Sequence, residues 1–165
     1  MALILASTRI AYLDKNVTLD SVARSYLVEA LHSYNNTCFK AAAVMVGGAA
    51  ERLTLSVRDV LVTRLTATGK SIPAPLTDWR IKTVRDSLTK EFDAHKKDMP
   101  KDLAESFGAY WASLAEQIRK VRNDAGHPES IDPVSPESVH ASLLIFPELA
   151  KLVADLDGWV NAFYK

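Results

Sequence analysis

Apolar residues recur at three- and four-residue steps along most of this 165-residue chain, and no stretch replaces that rhythm with a strict two-residue alternation. That regularity restricts the fold to packed helices. From Thr18 the positions Val22, Tyr26, Leu27, Ala30 and Leu31 make one stripe, which ends at Tyr34-Asn35-Asn36. Asn35 or Asn36 stands where a cap for the next helix belongs. In that helix Phe39, Ala42, Ala43, Val46, Ala49, Ala50, Leu53, Val57, Val60 and Leu61 keep one face apolar. Its middle, "AAAVMVGGAAERL", is almost wholly small residues, and each interior glycine costs a helix about 1 kcal/mol against alanine. A close approach by another element is expected there. Phosphate binding at Gly47-Gly48 is disfavoured, because the pair lies inside a helical pattern rather than at a helix start.

The stretch "TATGKSIPAP" reads as a loop, and a third pattern follows through Trp79, Ile81, Val84, Leu88 and Phe92 to the charged "DAHKKDMPKD". A fourth helix opens with Asp102 and Glu105 in capping-box spacing and aligns Leu103, Phe107, Tyr110, Trp111, Leu114, Ile118 and Val121. Ser135-Pro136-Glu137 then combines an N-cap hydroxyl, a proline at the first helical position and a carboxylate in the first turn. The fifth helix runs from there to about Ala162, with Pro147 expected to kink it near Phe146 or to end and restart it. Trp79, Trp111 and Trp159 fall on apolar stripes and read as core rather than as base-stacking platforms. The fold expected is all-α, an antiparallel bundle of four or five helices over residues 19–165, preceded by an arm or short helix at 1–18.

Twenty basic and twenty acidic residues cancel, so no global field draws the chain onto a polyanion. A constitutive nucleic-acid coat protein is therefore disfavoured, while transient binding through a local basic cluster is compatible with zero net charge. The single cysteine, Cys38, excludes an intrachain disulfide and any cysteine-based zinc site. The opening "MALILASTRIAY" lacks the basic region and long apolar core of a signal peptide, and no run approaches the roughly 20 apolar residues of a membrane span. A soluble protein of the reducing cytoplasm, without membrane contact, is the expectation.

The chain has no nucleophile elbow, phosphate-binding glycine loop, paired-histidine zinc helix or calcium loop. His32, His95 and His140 have no companions at metal-ligand spacing, so neither a metal nor a cofactor is expected. What remains is "KVRNDAGHPES", Lys120 to Ser130. Gly126 suits a left-handed residue just past a helix, and Pro128 often follows such a stop. That leaves the Asn123-Asp124 pair unaccounted for, since neither favours a helix interior. Arg122 offers a guanidinium able to hold a phosphate through two hydrogen bonds. His127 brings an imidazole, the side chain suited to moving protons at neutral pH. Together they suit metal-independent phosphodiester cleavage.

"RNDAGH" matches the R-N-x-x-x-H signature of the HEPN superfamily (higher eukaryotes and prokaryotes nucleotide-binding domain), at the end of the fourth helix, where that family carries it. "EALHSYNNTCFKAAAVMVGGAAERL" resembles the first-to-second helix passage of a bacterial HEPN branch associated with defence and restriction systems. "SPESVHASLLIFPELAKLVADLDGWV" resembles its last helix, so the likeness spans residues 19–162.

The resemblance implies a helical homodimer whose two motifs face each other across a cleft, and a metal-independent endoribonuclease of toxin or phage-defence type. His127 would be the acid–base group at a ribose 2′-hydroxyl or leaving oxygen, Arg122 would hold the scissile phosphate, and Asn123 would orient either. The products would carry a 2′,3′-cyclic phosphate. Arg119 and Lys120 would bind substrate beside the motif, with Glu116 diluting their charge. The alternative is a non-catalytic dimeric module for a nucleotide, RNA or partner protein, such as an antitoxin or defence-system component. The dimer face is expected on the second and fourth helices, with Ala41 to Ala50 packing either there or inside the subunit.

Overall fold

The computed structural model describes residues 2–127 and 133–165. Among them are six α-helices and no strand: α1 Ala2–Asn16, α2 Ser21–Asn35, α3 Phe39–Ala67, α4 Ile81–Ala94, α5 Lys101–Gly126 and α6 Pro136–Phe163. Short 3₁₀ turns occupy Ala74–Thr77 and Lys96–Asp98. The fold is an all-α bundle, with α1 adding a helix to the four or five expected. Among the described residues no helix is long and apolar enough to cross a membrane.

Asp20 starts α2. Its carboxylate accepts from the amides of Val22 and Ala23 at 3.0 and 3.2 Å, satisfying donors that a helix start leaves unpaired. The same carboxylate receives two 3.0 Å hydrogen bonds from Arg52. Arg52 first, then the amides, hold its pKa down at about 2. Ala23, Leu27, Ala30 and Leu31 are buried, whereas Val22 and Tyr26 of the expected stripe are exposed. The buried face is therefore narrower than the periodicity indicates.

Asn36 does not cap α3. Its side chain donates to the His32 carbonyl at 2.8 Å and its amide bonds to the same oxygen, closing α2 instead. Thr37, at φ 60°, turns the chain, and α3 begins after Cys38 with no side-chain cap among the described residues. Asp20 then lies opposite Arg52 and Tyr26 opposite Gly48, so α2 and α3 run in opposite directions.

α3 is the spine, packing against α2, α4, α5 and α6. Ala42, Ala43, Val46, Gly47, Ala49 and Ala50 are buried within the subunit, which places most of the small-residue segment inside it. Phe92, Phe107, Trp111 and Trp159 form an aromatic centre, with Phe92 5.7 Å from Phe107, 6.3 Å from Trp111 and 5.9 Å from Trp159 between centroids. Each buried indole N–H has an acceptor: Trp111 donates to Thr89 Oγ1 at 2.9 Å and Trp159 to the Asp98 carbonyl at 3.4 Å.

Trp79 departs from the core expectation and is 87% exposed. The Asp78 carboxylate accepts from the Arg80 amide at 2.8 Å and binds its guanidinium, so the chain turns into α4 only at Ile81. Trp79 precedes the helix and lies off its buried stripe of Val84, Leu88 and Phe92. Asp102 and Glu105 form no capping box either: α5 begins at Lys101 behind Pro100, which puts Asp102 already inside the helix. Tyr110 faces out at 52% exposure. α6 follows its signals more closely, with Ser135 Oγ accepting from the Ser138 amide and the helix continuing unbroken through Pro147.

Candidate functional site at the end of α5

On a helix, residues three or four apart share an edge. Arg119 and Arg122 share one edge of α5, and Lys120 and Asp124 share another, so the motif is divided before any tertiary contact forms.

The Arg122 edge faces α3. Its stem crosses Gly47, with the Cβ and Cγ of Arg122 occupying the space that a Cβ on Gly47 would need. The guanidinium then reaches outward: Nη1 donates to Asn123 Oδ1 at 3.1 Å, and Nη2 pairs with Glu51 Oε1 at 3.7 Å. Arg119 binds Glu116 at 2.8 and 3.0 Å, and Glu116 also accepts from Arg85 at 2.8 Å. Arg119 first, and Arg85 after it, hold the Glu116 carboxyl at about 2. Both motif-side arginines are thus matched by carboxylates.

The other edge faces a surface cavity of about 630 Å³. Lys120, Asn123, Asp124 and His127 line one wall, and Ser135 and Ser138, at the start of α6, line the other. His127 is exposed and extended, at φ −71° and ψ 120°. Gly126 is not left-handed as expected. α5 runs through it, and among the described glycines only Gly69 has positive φ. The stop comes from the next residue along, because a residue that precedes proline is disfavoured in the helical region. Pro128 itself lies outside the described residues.

The residues proposed from sequence are therefore separated. Lys120, Asn123 and His127 share the cavity, while Arg119 and Arg122 turn towards α3 and α4. Asn123 connects the two groups, since it lines the cavity and accepts from Arg122. The final carbonyls of α5 carry partial negative charge, and the α6 start offers partial positive charge across the cavity.

No protein-family model, curated protein or solved structure matches the chain. Function rests on the geometry. Among the described residues no group of three or more His, Cys, Asp and Glu side chains could hold a metal. His95, read from sequence as lying in a solvated charge run, packs 5.0 Å from the Phe163 ring with Glu91 and Asp98 each 3.6 Å away. His140 lies against Tyr34 at 5.7 Å.

Sequence reasoning missed Glu51, Ser135 and Ser138 as neighbours of the motif. The Gly47-Gly48 pair did signal a close approach on α3. Nothing in a single chain says that the approaching residue is Arg122.

Proposed function

We propose that the end of α5 is the catalytic centre of a metal-independent, HEPN-type endoribonuclease of the toxin or phage-defence class, acting as a homodimer in the cytoplasm. The observation that carries this reading is the shared cavity of Lys120, Asn123 and His127, faced by the N-terminal end of α6. His127 removes the proton from a ribose 2′-hydroxyl, or returns one to the leaving 5′-oxygen. The 2′-oxygen attacks the adjacent phosphorus, and the bond to the 5′-oxygen breaks, leaving a 2′,3′-cyclic phosphate. Lys120 and the α6 start attract the phosphate. Arg122 reaches it through its contact with Asn123, with Arg119 adding charge at the edge. The two-fold partner meets the second and fourth helices of the sequence pattern, α3 and α5, where Val44 and Tyr110 are exposed. No cofactor enters the reaction.

The test is cleavage of single-stranded RNA in EDTA, with the 3′ ends of the products identified. Loss of cleavage in a folded His127→Ala variant supports the assignment, and cleavage that persists in it sinks the assignment.

A second reading is favoured by one observation: Arg122 and Arg119 already have carboxylate partners in Glu51 and Glu116. In that reading the same cavity belongs to a non-catalytic dimeric module that binds a nucleotide, RNA or an antitoxin-like or defence-system protein. Normal dimers with no RNA cleavage, from a protein harmless on expression, select it.

A further inference from the structure

A second cavity, of about 440 Å³, lies where the α1–α2 connection, α3 and α6 meet. Val17, Leu19, Leu53 and Val153 give it a hydrocarbon wall, and Asp20 and Asp157 bring carboxylates to it. The two acids differ in how they are satisfied. Asp20 is engaged by Arg52 and by the amides of Val22 and Ala23. Asp157 keeps its Oδ1 sealed from solvent with no hydrogen-bond partner. Burying a carboxylate oxygen without a donor is costly, and burial pushes the Asp157 carboxyl up to about 6.

Among the described residues no ion pair reaches Asp157. Arg52 is shared between Asp20 and Asp59 at 3.0 and 3.4 Å, and Lys151 is held by Asp155 at 2.7 Å. A hard divalent metal asks for several oxygen ligands, whereas half of this lining is hydrocarbon and no three-ligand group exists among the described residues.

We infer that this cavity binds an alkylammonium group, its N–H donors on the Asp157 carboxylate and its aliphatic stem along Val17, Leu19, Leu53 and Val153. Asp157 lines the cavity, so an ammonium there supplies donors and countercharge to its carboxylate, and its methylenes leave water for the apolar wall. The same chemistry arrives as a free amine or as the lysine side chain of a polypeptide. The site is separate from the α5 cavity and shares no residue with it.

Butylammonium, putrescine and Nα-acetyl-lysinamide titrated into the full chain at pH 7.5, by calorimetry and by amide NMR shifts, test this. Saturable binding is expected, with shifts clustered at residues 17–20 and 150–157. Asp157→Asn should weaken it at least tenfold. Ala154→Leu should also weaken it, because it narrows the cavity and leaves the carboxylate in place. Preference for the lysinamide indicates a polypeptide source, and preference for putrescine a free amine; either supports the site. Undiminished binding to the folded Asp157→Asn protein, or no saturable binding of any of the three amines to the wild type, overturns it. Neither result touches RNA cleavage.

Discussion

Gly47 of α3 lies directly beneath the stem of Arg122 of α5, so close that a Cβ at position 47 would stand 2.5 Å from the Arg122 Cβ. No pair of carbon atoms packs at that distance, and the two helices meet here because one of them presents only a hydrogen. Two features of the sequence, the mid-helix Gly47 and the arginine of the motif, are halves of one contact.

Gly47→Ala should force α5 away from α3 and cost about 1–3 kcal/mol, the range of an overpacked core. Gly48→Ala meets only the Tyr26 ring, at 3.1 Å, and that ring is 40% exposed and able to swing. Its cost should stay below about 0.5 kcal/mol, helped by the better helix propensity of alanine. Urea unfolding of the two variants, side by side, measures the contrast.

Arg122→Ala and His127→Ala should separate structure from chemistry. The arginine loses stem packing on Gly47 and an ion pair with Glu51 that is partly open to solvent, together about 1 kcal/mol. The exposed histidine should change stability by less than about 0.5 kcal/mol. Both variants should lose RNA cleavage, so an inactive His127→Ala protein with wild-type unfolding would locate its defect in the reaction.

Asp20→Ala removes the α2 cap and the partner of Arg52, and should cost about 2 kcal/mol at pH 7. Because the folded carboxyl sits at about 2, below its ordinary value, its contribution is complete above about pH 4 and is lost as pH falls through 2. Wild type and variant should therefore converge in acid. A difference that stays constant from pH 7 to pH 2.5 would contradict the ion pair.

Asp157→Asn should act in the opposite sense. Burial raises the folded carboxyl to about 6, so ionisation disfavours folding, with no penalty below about pH 4 and the full penalty above about pH 6. The asparagine variant should gain about 1 kcal/mol at pH 7.5, a figure reduced for partial exposure, and nothing at pH 4. Thermal unfolding across that window checks it.

Trp79→Phe should leave stability within about 0.5 kcal/mol of wild type, since 87% of the side chain is exposed. Trp111 and Trp159 are buried at 1% and 7% exposure. The acrylamide-quenchable part of the tryptophan emission should therefore vanish with Trp79 alone.

The helices themselves were legible because helical phase is a local property: the spacing of Leu27, Ala30 and Leu31, or the Ser135-Pro136-Glu137 start, is written within a few residues. The same locality explains the misses. Tyr26, Trp79 and Tyr110 satisfy a helical spacing as well as their buried neighbours do, and only the elements packed alongside decide which of them meets water. Asn36 could serve either of two adjacent helices, and the turn at Thr37 assigned it to the one before. For the candidate site, sequence alone determined that a polar arginine–asparagine–histidine group ends α5 and that α3 is narrow in its middle. Tertiary structure alone decided that Arg122 spends its stem on Gly47 and its charge on Glu51, while His127 and Lys120 face the start of α6. The reason is physical. A side chain's partner is set by whatever the bundle brings within a few ångströms of it, and residues 47, 51 and 135 reach the end of α5 only when the chain has folded.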